Sequence, residues 1–239
     1  MNNKLGVHAK HSARVRKISL TALGFVFAFG TAANAAAQTV TSPTTPAAIT
    51  PPLGTSAFLV GHAFGTQGYT CLPAGAGAAS WTVIGARPEA TLFTDLFGQP
   101  FQIITHFASP DANPNQFAPN PLPPGGNATW QSSLDTSKVW AKAIGSINGG
   151  SDPESCPNTG AIPCLLLQSI GNQKGPTGGR LLAQTSFVQR LNTKGGSAPI
   201  TGCAVLSDVG KTQLVPYTAD YYFFHDDQPD NQRDNRGSE

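Results

Sequence analysis

The chain has 239 residues, enough for one domain or two small ones, with 15 basic and 13 acidic residues and a formal charge of +2. Five of the basic residues and no acids precede Gln38, so the remainder carries 10 basic against 13 acidic residues, or −3. No basic stripe remains outside the N-terminus, which argues against a nucleic-acid partner.

The N-terminus itself has the three-part plan of a secretory signal peptide. Lys4, Lys10, Arg14, Arg16 and Lys17 precede the apolar run "ISLTALGFVFAFG", and the small residues "TAANAAAQ" follow. Cleavage is expected after Ala35 or Ala37. The apolar run is too short for a bilayer, which takes about 20 residues. No membrane span is expected after cleavage, and the product is read as secreted or periplasmic.

Residues 36–56 are rich in Thr, Pro and Ala and read as an extended linker. A single β-rich domain is expected over residues 57–225. Its segments "AFLVGHAF", "GYTCL", "SWTVI", "ATLFTDL" and "FQIITHF" are short, β-branched or aromatic, and punctuated by Gly and Pro. In "FQIITHF", Phe101, Ile103, Thr105 and Phe107 share one face, and Gln102, Ile104 and His106 the other. Six prolines between Ser109 and Gly126 mark a long loop. Strand patterns resume with "ATWQSS", "KVWAKAIGS", "CLLLQSI", "LLAQTSFVQRL", "ITGCAVL" and "QLVPYTADYYFF". In the last of these, Val215, Tyr217, Ala219, Tyr221 and Phe223 share one face. "PEATLFTDLFG" and "SKVWAKAIG" are the two helical candidates. Residues 226–239 contain no apolar residue and read as a disordered tail. The expected fold is all-β: an antiparallel β-sandwich or barrel-like domain with long Pro/Gly-rich loops.

Four cysteines outside the N-terminal segment fit two disulfides in an oxidising compartment. Three pairings are open. The turn-rich "PNTGAIP" favours a local Cys156–Cys164 bridge, which leaves Cys71 with Cys203. That long closure would contribute roughly 4–5 kcal/mol in the chain-entropy model. No C-x-x-C or paired Cys/His spacing marks a metal site, and none is expected.

Chemical motifs are sparse. "PAGAGAAS" lacks the helix of a dinucleotide loop, and in "GNQKGPTGG" Lys174 is followed by Gly175 and Pro176, not Ser or Thr. No cofactor is expected. There is no G-x-S-x-G. "QRLNTKGGSAPITGC", from Gln189 to Cys203, reads as a hairpin turned at Gly195-Gly196 and stapled by Cys203. Asn127–Thr129 is a glycosylation sequon. Asp220, unusual in a strand, is a pairing candidate for Arg190.

The stretches "GTQGYTC", "TSFVQRLNTKGGSAPITGC" and "VPYTADYYFF" resemble the domain of unknown function 3455 family of exported bacterial and fungal proteins. The resemblance covers about residues 55–225. His106 and Trp130 fall where that family tends to have a histidine and a tryptophan. Where the family usually has Asp-Gly-Ser, this chain has Asp135-Thr136-Ser137. Where it often has Trp before a Leu run, this chain has Cys164, so the resemblance makes Cys71–Cys203 the shared pair. Some fungal members carry a malate dehydrogenase label, which the absence of a nucleotide fingerprint does not support.

Three readings of function follow. The first is a non-catalytic domain binding a carbohydrate, a cell-surface component or another ligand, with Tyr69, Trp81, Trp130 and Tyr217 as binding aromatics. The second is a secreted hydrolase using His106, Asp220 and Arg190, which must then share one cleft. The third is a structural or stress-related envelope protein.

Overall fold

Glycine, proline and β-branched punctuation becomes strands in the computed structural model of the protein, which describes residues 40–83, 89–109 and 126–227. The expected signal peptide of residues 1–35, most of the Pro-rich loop and residues 228–239 lie outside the described residues. The nine described strands are β1 (Thr55–Gly75), β2 (Ala78–Thr82), β3 (Glu89–Leu96), β4 (Gln99–Ser109), β5 (Asn127–Ser132), β6 (Lys138–Ile147), β7 (Cys164–Gln173), β8 (Phe187–Gly195) and β9 (Thr212–Asp226). Two short 3-10 helices, Ala47–Ile49 and Leu206–Asp208, flank them. No described helix is long and apolar enough to cross a membrane.

Every strand pairing is antiparallel, in the order β2-β1-β3-β4-β5-β6-β7-β8-β9, and β9 pairs back onto β1 from Thr55 to Thr70. That last pairing closes β1 and β3–β9 into a barrel-like ring of eight. β2 and β3 lie end to end along the other edge of β1, with Thr82 opposite Thr70 and Glu89 opposite Thr66. Closure pairs the free edge of β9 with β1, and β2 stays outside the ring, paired to β1 alone among the described strands. An eight-stranded ring is just wide enough to be filled by side chains or to hold one small ligand.

The inner face is a continuous core that includes Ala63, Leu92, Ile104, Trp130, Val139, Leu167, Val188, Tyr221 and Phe223. The alternation expected on the last strand holds: Tyr217, Ala219, Tyr221 and Phe223 point inward. Alternation fails at β4, where a bulge opposite Leu92 and Phe93 lets both Ile103 and Ile104 enter the core.

The outer face of β7–β9 is buried as well. Leu166, Leu191, Tyr222 and Phe224 form a second cluster with Ile49, which is 0% exposed. Here the segment read as a linker docks on the barrel. Gln189 donates its side-chain Nε2–H to the Ile49 carbonyl at 2.6 Å. Gly145 makes room for the segment, since a Cβ there would run into the Ala48 carbonyl. Burial on both faces explains why "CLLLQSI" and "DYYFF" are apolar almost without alternation.

Four local expectations are corrected. Both helical candidates are strands, β3 and β6, because Ala90 and Leu92, and Val139 and Ala141, bury every second residue into the core. "ITGCAVL" is not a strand. It lies in the connection from β8 to β9, and its one ladder contact is an isolated bridge between Val205 and Ala78. Gly195 and Gly196 have φ of 73° and 79° but open this long connection, not a tight hairpin. Asp226, expected in the tail, is the last residue of β9 and pairs with Thr55.

Both disulfides are present, Cys71–Cys203 with Cα atoms 5.6 Å apart and Cys156–Cys164 at 6.0 Å. They fit an oxidising environment. The sequon is closed to modification in the folded chain, because Asn127 is buried and its Nδ2 has no exposed surface.

Candidate functional site

A cavity of about 270 Å³ lies inside one end of the barrel. Six strands line it: β1 through Gln67 and Tyr69, β4 through His106, β5 through Ala128 and Trp130, β7 through Leu165 and Leu167, β8 through Arg190, and β9 through Tyr221. Ile162 and Pro163 close one side, and half-exposed Val83 stands at the rim. Period-two alternation puts these side chains inward together. On β8, Val188 and Arg190 face in, while Gln189 and Leu191 face the docked N-terminal segment.

His106 is the buried polar centre of this region. Its ring stacks on the Trp130 indole, centroids 4.3 Å apart and 10° from parallel, and Tyr221 tilts against both. His106 Nδ1 lies 2.9 Å from the Thr129 carbonyl oxygen. A carbonyl only accepts, so Nδ1 carries the proton and the neutral ring keeps its lone pair on Nε2. Burial pulls the histidine pKa down, the Thr129 hydrogen bond opposes this, and the Arg190 charge lowers it further, to about 4. The ring is neutral at neutral pH.

Trp130 is 1% exposed, and its Nε1–H has no hydrogen-bond partner. A buried donor left unpaired costs about 1–3 kcal/mol, and Trp140 Nε1–H is unpaired in the same way. Arg190 is the one fixed charge among the described lining residues. Its Nε and Nη2 both donate to the Pro163 carbonyl, at 3.2 and 2.8 Å, which pins the guanidinium at the cavity wall. The remaining N–H groups have no carboxylate partner among the described residues. The charge is felt across the site, where it lowers the Tyr69 and Tyr217 pKa values against the larger upward push of burial.

The segment from Gln189 to Gly196 builds one wall. Thr193 Oγ1 donates to the Ile162 carbonyl at 2.6 Å, and Ile162 N–H donates to the Gly195 carbonyl at 3.0 Å. Gly196 lies so close that a Cβ would meet both Ile162 and Tyr217 at 2.9 Å. Tyr69 Oη donates to the Gly196 carbonyl at 2.6 Å. Beyond it, Trp81 Nε1–H donates to the Thr201 carbonyl at 2.9 Å, next to the Cys71–Cys203 bridge.

The structure therefore divides the sequence candidates. His106, Arg190, Tyr69 and Trp130 line one cavity. Trp81 braces the β8–β9 connection, and Tyr217 is buried with its hydroxyl 3.1 Å from that of Tyr221. Asp220 lies on the outer face. It bonds His62 Nδ1 at 2.6 Å and Asn192 Nδ2 at 2.8 Å, so it does not pair with Arg190. The trio of His106, Asp220 and Arg190 does not share a cleft. Gln67, Ile162 and the two leucines of β7 were not singled out as site residues. For Gln67 and the leucines the signal was the shared inward phase of each strand, which becomes readable once the ring closure is known, whereas Ile162 lies on the connection before β7.

Among the described residues no group of three or more His, Cys, Asp or Glu side chains could hold a metal ion. The family model described as "Protein of unknown function (DUF3455)" matches residues 52–225. Neither the curated proteins nor the solved structures gave a match.

Proposed function

The chain belongs to the DUF3455 family, and from that premise we propose that it is an exported binding protein holding one small, largely apolar ligand inside the end of its barrel. The observation that carries this reading is a preformed cavity inside the ring, with Arg190 as a charged group in an otherwise largely apolar wall. A cavity of about 270 Å³ sits at the lower edge of the range of small-molecule sites, roughly 300–1,000 Å³. The lining mixes aliphatic and aromatic walls with a few polar groups, Gln67, His106 and Arg190, that would fix orientation. Export rests on the N-terminal leader pattern and on the two disulfides.

Binding is favoured over hydrolysis because the described lining residues include no carboxylate and no Ser, Thr, Cys or Lys nucleophile. Carbohydrate binding is also less well supported. Trp130 and Tyr217 are enclosed, and Trp81 is engaged in holding a loop, so they do not form an open stacking platform.

The test is calorimetric titration with p-cresol, whose ring suits the apolar walls and whose hydroxyl oxygen can accept from Arg190. The wild-type protein should bind it. Ala128→Phe fills the cavity from β5 and should abolish binding while leaving the far-UV spectrum unchanged. Wild type that does not bind p-cresol, or a folded Ala128→Phe protein that binds it undiminished, contradicts the reading.

A further inference from the structure

We infer that the ligand is an organic anion, an apolar body ending in one carboxylate, and that Arg190 receives the carboxylate at the cavity wall. This rests on the reading of the cavity as a ligand site and adds the chemical class of the ligand. Three observations carry it.

The first is charge. Arg190 is a permanent cation in a lining with no anion to balance it among the described residues. Arg190 is partly buried, and a counter-charge that arrives with the ligand gains a charge-assisted bond to it. The carboxylate expected to balance it, Asp220, is committed to His62 and Asn192 on the other face of the sheet.

The second is geometry. The Pro163 carbonyl takes the Nε–H and one Nη2–H of the guanidinium. A guanidinium carries five N–H donors, so its other edge is left available and held in a fixed orientation. A planar carboxylate matches two such donors at once. The unused guanidinium N–H groups are donors, which selects a ligand that offers acceptors.

The third is the neutral histidine. A protonated His106 would give the cavity a second positive charge and favour a dianion or a phosphate. The Thr129 hydrogen bond fixes the proton on Nδ1, and burial against Trp130 disfavours a second proton. One cation, hydrogen-bond donors and apolar walls specify a monoanion with an apolar body.

Benzoate and benzamide are near-isosteric and differ in charge, so wild-type protein titrated with each isolates this term. Benzoate should bind about tenfold more tightly or better, the effect expected of a charge-assisted pair over a neutral one. Arg190→Gln should remove that preference, bringing the benzoate and benzamide affinities within about threefold of each other. Equal affinities in the wild type, or a preference for benzamide, overturn the anion assignment and leave the p-cresol result untouched. A benzoate preference that survives in Arg190→Gln overturns the role of Arg190. Failure of p-cresol contradicts the cavity reading itself, and failure of benzoate and benzamide with it removes this inference too. The wild-type comparison stands even if the variant does not fold.

Discussion

Two of the described histidines, His62 and His106, lie on opposite faces of the barrel wall. On the outer face, His62 lies across from Asp220 in the β1–β9 ladder and pairs with it at 2.6 Å, and Asn192 completes the carboxylate. On the inner face, His106 is buried, stacked on Trp130 and held by a backbone carbonyl. By motif alone the outer pair looks more like chemistry, since a histidine oriented by an aspartate is the usual acid–base arrangement. Its geometry says otherwise: the acceptors of Asp220 are occupied, the histidine side chain is 54% exposed, and neither residue lines a described cavity. The inner site has unpaired donors and an uncompensated charge. A site awaiting a ligand is marked by what it leaves unsatisfied, not by how many of its bonds are made.

Four experiments sharpen that contrast. Trp130→Ala should have the largest effect, destabilising the protein by about 3–5 kcal/mol as a buried aromatic is lost, read by urea denaturation, and removing p-cresol binding in whatever remains folded.

Next comes pH. An unfolded histidine titrates near 6.5, and His106 in the folded chain only near 4. Above pH 6.5 both states are neutral and this group contributes no slope. Between 6.5 and 4 the unfolded state takes up the proton first, so stability falls as pH falls, by about 3 kcal/mol in total. His106→Gln should flatten that window in a series of unfolding curves. The Asp135 carboxylate acts lower. Burial raises its pKa, but hydrogen bonds from Leu181 N–H, Ser137 and Ser132 outweigh this and bring it to about 2, so its contribution is lost only below about pH 4.

Asn192→Ala on the outer face should cost about 2 kcal/mol, because it removes a bond to Asp220 and places a Cβ-bearing residue with no side-chain polar group at φ 51°. His62→Ala should cost least, under about 1 kcal/mol, as expected for an exposed pair, and should leave ligand binding unchanged. A larger loss of binding from His62→Ala than from His106→Gln would reverse the comparison.

Much of this was legible in the sequence. The cysteine spacing carried the disulfides, and the alternation of Tyr217, Ala219, Tyr221 and Phe223 carried the core face of β9. The aromatic and polar residues of the cavity were legible individually, but their convergence was not. It depends on the β1–β9 closure, which joins segments more than 140 residues apart in the chain. The same register decides the partner of Asp220, and a sequence does not display which residue stands opposite it. The docked N-terminal segment was hidden for a different reason. Among its Pro and Thr residues, Ile49 is the one fully buried anchor, and its seat is built by Gly145, Leu166, Gln189 and Tyr222 from elsewhere in the chain. Strand β4 was misphased by a single bulge at Ile103. Thr136 sits at φ 58°, a left-handed position that accounts for glycine being usual in the resembling family.

The central claim is that the inner site, and not the outer one, receives the ligand. The most direct measurement is the proton–nitrogen NMR spectrum of the full chain titrated with p-cresol, following the Trp130 indole N–H and the His62 ring. The account predicts a saturable shift of the Trp130 indole proton as the ligand fills the cavity beside its ring, with the His62 signals unmoved. Saturable shifts at His62 with an unchanged Trp130 resonance would contradict it.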